Sequence, residues 1–272
     1  MDGVSRKRDV CVQTLELTDS SDHSAVVLAC RRLSGIQKSQ DCCSVSVVFP
    51  GLVTQEGCCR FITCELLKQC LYQRQQLPLP YDQLVYFCRR QCQQQADGVF
   101  KRKMQRTDLA DSKKCQRVLA ELEELFGHLE AAFSLTLVPR VLLLLGGSTV
   151  CPRELYEVNM EGIRLGNAGQ SLETSSCTRK IFHSVFLADV FSELKSPAIM
   201  GAVLLLQGHR DSAIDWFRPK LAYKVPSHGR RLTVNLSCCD VSLAPTVQEA
   251  ASSAAQDYIW FQAPVTVKGF NN

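Results

Sequence analysis

At 272 residues the chain is at the upper limit of one domain, and 46% apolar with 21% charged residues is the composition of an ordinary globular protein. The longest dense apolar run, Val138–Leu145, is interrupted by Pro139 and Arg140. It is far shorter than the roughly 20 residues of a membrane span, and no secretory signal follows Arg6, Lys7 and Arg8, so an intracellular protein with no membrane partner is expected. The net charge of +4 is concentrated between Arg89 and Arg117, where nine basic residues face three acids. Phe100 is the only aromatic there and Gln93–Gln95 is a polar run, so a solvated, mobile basic loop at about 89–114 is predicted and nucleic acid is not.

Residues 1–44 have no sustained period and are expected to form a disordered tail. Val45–Phe49 then gives a short strand ended by Pro50-Gly51. A helix over Gly57–Leu77 is predicted from Cys58, Ile62, Leu66 and Cys70 at intervals of four, and Pro78 and Pro80 stop it. After the basic loop, Cys115, Val118, Leu122, Leu125, Phe126, Leu129 and Phe133 form the clearest amphipathic helix, with Glu121, Glu123, Glu124 and Glu130 on its wet side. Val141–Leu145 is a continuous apolar strand, the signature of burial on both faces. A further strand is expected around Leu155–Met160.

A third helix is predicted over Cys177–Leu194. Its apolar residues, among them Ile181, Phe182, Val185, Phe186, Val190 and Phe191, leave no wide polar face. A helix lying on a sheet buries about half its circumference, so the other side needs cover from the chain or from a partner. Strands follow at Ile199–Leu206, near Ala222–Val225, at Leu232–Cys238 with the alternation of a half-solvated antiparallel strand, and at Tyr258–Phe261. Val241–Gln256, rich in Ala and Ser, is expected to be a flexible loop. This order does not alternate strand and helix, and it predicts an α+β domain with helices against a mostly antiparallel sheet.

Residues suited to chemistry do not converge. There is no phosphate-binding loop, no H-E-x2-H and no G-x-S-x-G. His183, His209 and His228 are scattered, Asp189 reads as a helix-surface carboxylate, and no motif sets a base beside Cys177. No enzyme and no cofactor are expected. The fifteen cysteines include no C-x2-C pair, the nearest spacings being Cys59-x4-Cys64 and Cys88-x3-Cys92. A cysteine-rich metal-binding or redox protein is therefore the alternative reading, with free, packed thiols the simpler one.

Two segments near the C-terminus, Trp216–Val225 and Tyr258–Phe270, hold both tryptophans and combine aromatic, basic and proline residues without a catalytic group. That composition points to a surface that holds other proteins. Together with VVFPGLVTQEG (47–57), TCELLK (63–68), YQRQQLPLPY (72–81), LVPRVLLLLGG (137–147), QGHR (207–210), WFRPKL (216–221) and DYIWFQAPVTVKGF (257–270), they carry a resemblance over roughly residues 45–270. The chain resembles the comet branch of the HORMA-domain family, which binds the spindle-checkpoint protein Mad-two (Mad2).

The resemblance implies a single HORMA domain over 45–272, with three helices on the sheet and a C-terminal segment wrapping as a safety belt. It implies that the third helix and the end of the first face the closed conformer of Mad2, with Phe182 and Gln73 on contact positions and Phe186 beside them. It also implies that Pro219, Lys220, Leu221 and Tyr223 engage a Pch-two-type AAA+ remodelling ATPase, so that the mitotic checkpoint complex is disassembled and the checkpoint silenced. Such a protein is expected in nucleus and cytoplasm, and on spindle and kinetochores in mitosis.

Overall fold

The computed structural model describes residues 12–19, 22–31, 42–96, 106–191, 200–239 and 257–269. The expected flexible loop at 241–256 lies outside them, as do 97–105 of the basic stretch. The class is α+β, as predicted: helices cover one face of a ten-stranded sheet ordered β1-β2-β3-β8-β5-β4-β6-β9-β7, with β10 pairing β6.

Two corrections concern the N-terminal half. Within the expected tail, β1 (Val12–Asp19) and β2 (Asp22–Arg31) form an antiparallel hairpin, and β2 pairs with β3 (Cys42–Phe49). The signal was local: Leu15 and Leu17 alternate with Thr14, Glu16 and Thr18, a strand period over a short stretch. The hairpin gains its place by adding to a sheet edge, a long-range pairing that the segment's own composition does not show. The basic stretch is likewise not a loop from residue 89. Helix α3 (Tyr81–Ala96) carries Arg89 and Arg90, and α4 (Arg106–Leu135) carries Lys113, Lys114 and Arg117. Pro80 directly before a helix with Asp82 in its first turn is a start signal, and Leu84 and Cys88, one turn apart, are buried.

The first predicted helix is a continuous run. Thr54 caps α1 (Gln55–Gly57) by accepting from Gly57 N at 2.9 Å, and a π-helical segment (Cys58–Cys64) leads into α2 (Glu65–Gln73). Four helical stretches therefore replace the three expected. The last, α5 (Thr174–Leu187), ends seven residues early. Asp189 adopts φ 47, the left-handed conformation that stops a helix, and it turns Val190 and Phe191 back onto the domain.

The continuous apolar strand is buried on both faces, as its sequence demanded. On β4 (Arg140–Gly146), Val141, Leu143 and Leu145 face the helices, where α4 sets Val118, Leu122 and Leu129. Leu142 and Leu144 face the other way, with Leu155 of β5 (Glu154–Gly162), Val203 and Leu205 of β6 (Gly201–His209) and Trp260 of β9 (Tyr258–Gln262). Among the described residues no helix covers that second face. A strap does: residues 221–229, on which Tyr223 and Val225 pack against this cluster.

The strap corrects the strand expected near Ala222–Val225. The edge strand is β7 (Arg218–Lys220), and the chain then crosses to β8 (Arg230–Cys238), five strand spacings away. Five spacings are about 24 Å, and nine residues reach at most roughly 30 Å, so the strap must run nearly straight. Such a crossing sets β8 down parallel to both neighbours, β3 and β5, rather than in the antiparallel pairing expected of it. At its end Gly229 (φ +91) makes the turn into β8, where Arg230 N donates to Arg153 O at 2.9 Å. The last residues return to the far side of β6 as β9 and then β10 (Val267–Lys268).

Candidate partner-binding surfaces

Three elements converge on a groove of about 620 Å³ on the helical side. Its walls are one face of α2, the start of α3 and the end of α5. Along α5, Cys177, Ile181, Ser184 and Val185 are buried, which leaves Phe182 half-buried and Phe186, one turn later, 81% exposed. Both phenylalanines line the groove, and so does Gln73 from the end of α2. The three residues expected on one contact surface are therefore brought together from positions more than a hundred residues apart.

What holds the groove in shape lies beneath it. Immediately after Gln73, the buried Arg74 donates from Nε to Glu154 Oε2 at 2.7 Å and pairs through Nη2 with the other carboxylate oxygen. Tyr156 OH donates to the same carboxylate at 2.7 Å. This bidentate pair anchors the end of α2 to β5. Beyond the positive-φ residue Gln75, the Gln76 side chain donates to Arg74 O and accepts from Met200 N, tying the turn to the start of β6. Under the other wall, Phe191 stacks on Tyr156 with centroids 6.3 Å apart.

On the α3 side, Tyr81 meets Phe126 of α4 edge-on at 5.5 Å, and the Lys68 ammonium lies 4.6 Å from the Tyr81 ring centroid. Lys68 also pairs with Glu65 at 2.7 Å and lies 4.0 Å from Asp82. Burial, with Glu123 and Asp82 nearby, pushes the Tyr81 phenol up to about 12, so it stays neutral and keeps its proton. Lys68, Tyr72, Tyr81 and Asp82 were not singled out from sequence. For Tyr81 and Asp82 the missed start of α3 is the reason, since it hides the wall they belong to.

The other predicted surface lies elsewhere. Pro219 and Lys220 sit on β7, whose three residues are all exposed, and Leu221 is 74% exposed. Tyr223 differs from them. It is half-buried, donates its hydroxyl to Thr149 O at 3.1 Å and packs edge-on to Trp260 at 6.1 Å. Pro219, Lys220 and Leu221 form an accessible strip, and Tyr223 is a peg that fastens the strap beside it. α5 packs on β3 and the end of α2 is anchored to β5, whereas the strip is on the edge strand β7, so strip and groove are separate surfaces.

Seven of the twelve described cysteines are buried in the core. Cys58 and Cys70 are buried and pushed up to about 12, chiefly by burial, so at neutral pH they are protonated and poor nucleophiles. Among the described residues, no group of three His, Cys, Asp or Glu is placed to hold a metal ion, and no helix is long and apolar enough to cross a membrane. The metal or redox alternative finds no support in this arrangement.

Comparison with known proteins agrees with a binding role. The chain is 54% identical over 228 residues to the MAD2L1-binding protein of Homo sapiens, covering 84% of this chain and 80% of that protein. It is 52% identical over 227 residues to the MAD2L1-binding protein of Mus musculus, covering 84% and 79%. Residues 1–272 match the family described as p31comet, Mad1 and Cdc20-bound-Mad2 binding, which is a family of binding proteins and not of enzymes. With its full length matched and more than half of the aligned residues identical to those of the human protein, the chain belongs to the p31comet family.

Proposed function

We propose that this chain is a non-enzymatic adaptor of HORMA type. It binds Mad2 in its closed conformer through the α2–α3–α5 groove and presents it to a Pch-two-type AAA+ ATPase through the strip at Pro219–Leu221. The observation that carries the reading is the meeting of Gln73, Phe182 and Phe186 in one groove, in a chain whose relatives are named for binding this partner.

The division of labour follows from linkage. A protein that binds only the closed conformer stabilises it, and binding alone cannot open it. Opening needs an external source of free energy, and this sequence has no phosphate-binding loop with which to hydrolyse a nucleotide. Delivery to an ATP-driven remodeller resolves the conflict, because the two partners then act at separate places. The strip on the edge strand β7 shares no residue with the groove, so both can be occupied at once in this reading. In this reading the outcome is disassembly of mitotic checkpoint complexes and silencing of the spindle checkpoint, in nucleus and cytoplasm and at spindle and kinetochores in mitosis.

Calorimetry with Mad2 locked closed and Mad2 locked open tests it. Tight binding to the closed form alone is expected, and equal affinity for both forms would reject the reading. Phe182→Ala should cost ~2–4 kcal/mol of affinity, as a central aromatic anchor does. Lys220→Glu should leave that affinity unchanged and abolish ATPase-dependent opening, and normal opening would remove the second surface.

A further inference from the structure

The groove is too small to be the whole of a stable interface. Fourteen residues line it, whereas specific complexes use about 20–30 residues a side. The contact must therefore extend past one of its walls, and α3 shows where. Asp82, in the first turn of α3, lines the groove. Tyr86 follows it by four residues, about 40° round the helix and roughly 6 Å further along, so it continues the same strip. Arg89, seven residues after Asp82, continues it again at about 20°.

The exposure along this strip is unusual. Tyr86 is 67% exposed although Leu84 and Cys88 on either side of it are buried against the domain. Aromatic and arginine side chains are what interface centres are enriched in. Phe87 is also exposed, at 48%, but it stands about 140° from Asp82 and so on the other flank of α3. The helix thus carries one exposed aromatic that continues the groove and one that does not.

We infer that the rest of α3, past the start that lines the groove, continues this third wall along the partner interface, with Tyr86 as its outlying anchor and Arg89 beside it, gripping the same closed Mad2 that occupies the groove. This rests on the reading above and deepens it: recognition would run from Phe186 across Tyr72 to Tyr86.

The test is the affinity of the full chain for closed Mad2, with Tyr86→Ser, Phe87→Ser and Phe182→Ala compared side by side and folding checked by thermal melting. Tyr86→Ser is expected to weaken binding about tenfold while Phe87→Ser stays within about twofold. Amide exchange should slow on complex formation along Tyr81–Arg90. Equal effects of Tyr86→Ser and Phe87→Ser, or no effect of either alongside a large loss with Phe182→Ala, would overturn the extended wall and leave the groove standing. No loss with Phe182→Ala would overturn the groove and the extended wall with it.

Discussion

The groove and the strip are opposites in construction. The groove is concave, made where three helices meet over the core, and its walls are fixed by a buried bidentate ion pair, by Gln76 at the turn and by Phe191 stacked on Tyr156. The strip is the end of edge strand β7, paired with β9, and Leu221 after it, with every residue exposed and a proline that blunts further pairing. The difference fits the proposed roles: a surface that tells one conformer of a partner from another has to be pre-organised, because only differential contact discriminates two shapes, whereas one offered to a remodelling machine needs accessibility more than rigidity.

The comparison can be broken from the rigid side first. Glu154→Ala removes the carboxylate that the buried Arg74 grips and is expected to cost about 3–5 kcal/mol of stability in urea unfolding. It should also weaken the groove, through Gln73, more than the strip. If groove affinity were unchanged in the folded variant, the ion pair would not be what positions Gln73. Next comes the strap: an alanine Cβ at Gly229 would lie 2.7 Å from Pro152 O on a backbone with φ +91. Gly229→Ala should therefore cost about 1–3 kcal/mol, read from the same unfolding curve. Smallest is Tyr223→Phe, which removes only the bond to Thr149 O. A loss of about 0.5–1.5 kcal/mol is expected, and an unchanged midpoint would show that ring packing on Trp260 alone fastens the strap.

Much of this protein was legible from its residues. The α+β class, the doubly buried strand at Val141–Leu145 and the amphipathic helix around Leu122 follow from hydrophobic period, which is a property of neighbours in the chain. The α5 helix was also visible, together with its need for outside cover, and the 81% exposure of Phe186 shows that the described residues of this chain leave that need unmet. Helix α3 was missed because a basic, glutamine-rich composition masked the Pro80 start signal and the Leu84–Cys88 pair.

What residue patterns alone determined, then, is which segments bury one face, two faces or none, since that depends on side-chain polarity at fixed spacing. The tertiary structure alone decided which segments became neighbours. The parallel setting of β8, the strap across the bare face and the meeting of Gln73 with Phe182 and Phe186 all depend on where a long crossing lands. No local pattern encodes a distance across a sheet, because only the packed strands fix how far the chain must travel to reach its partner.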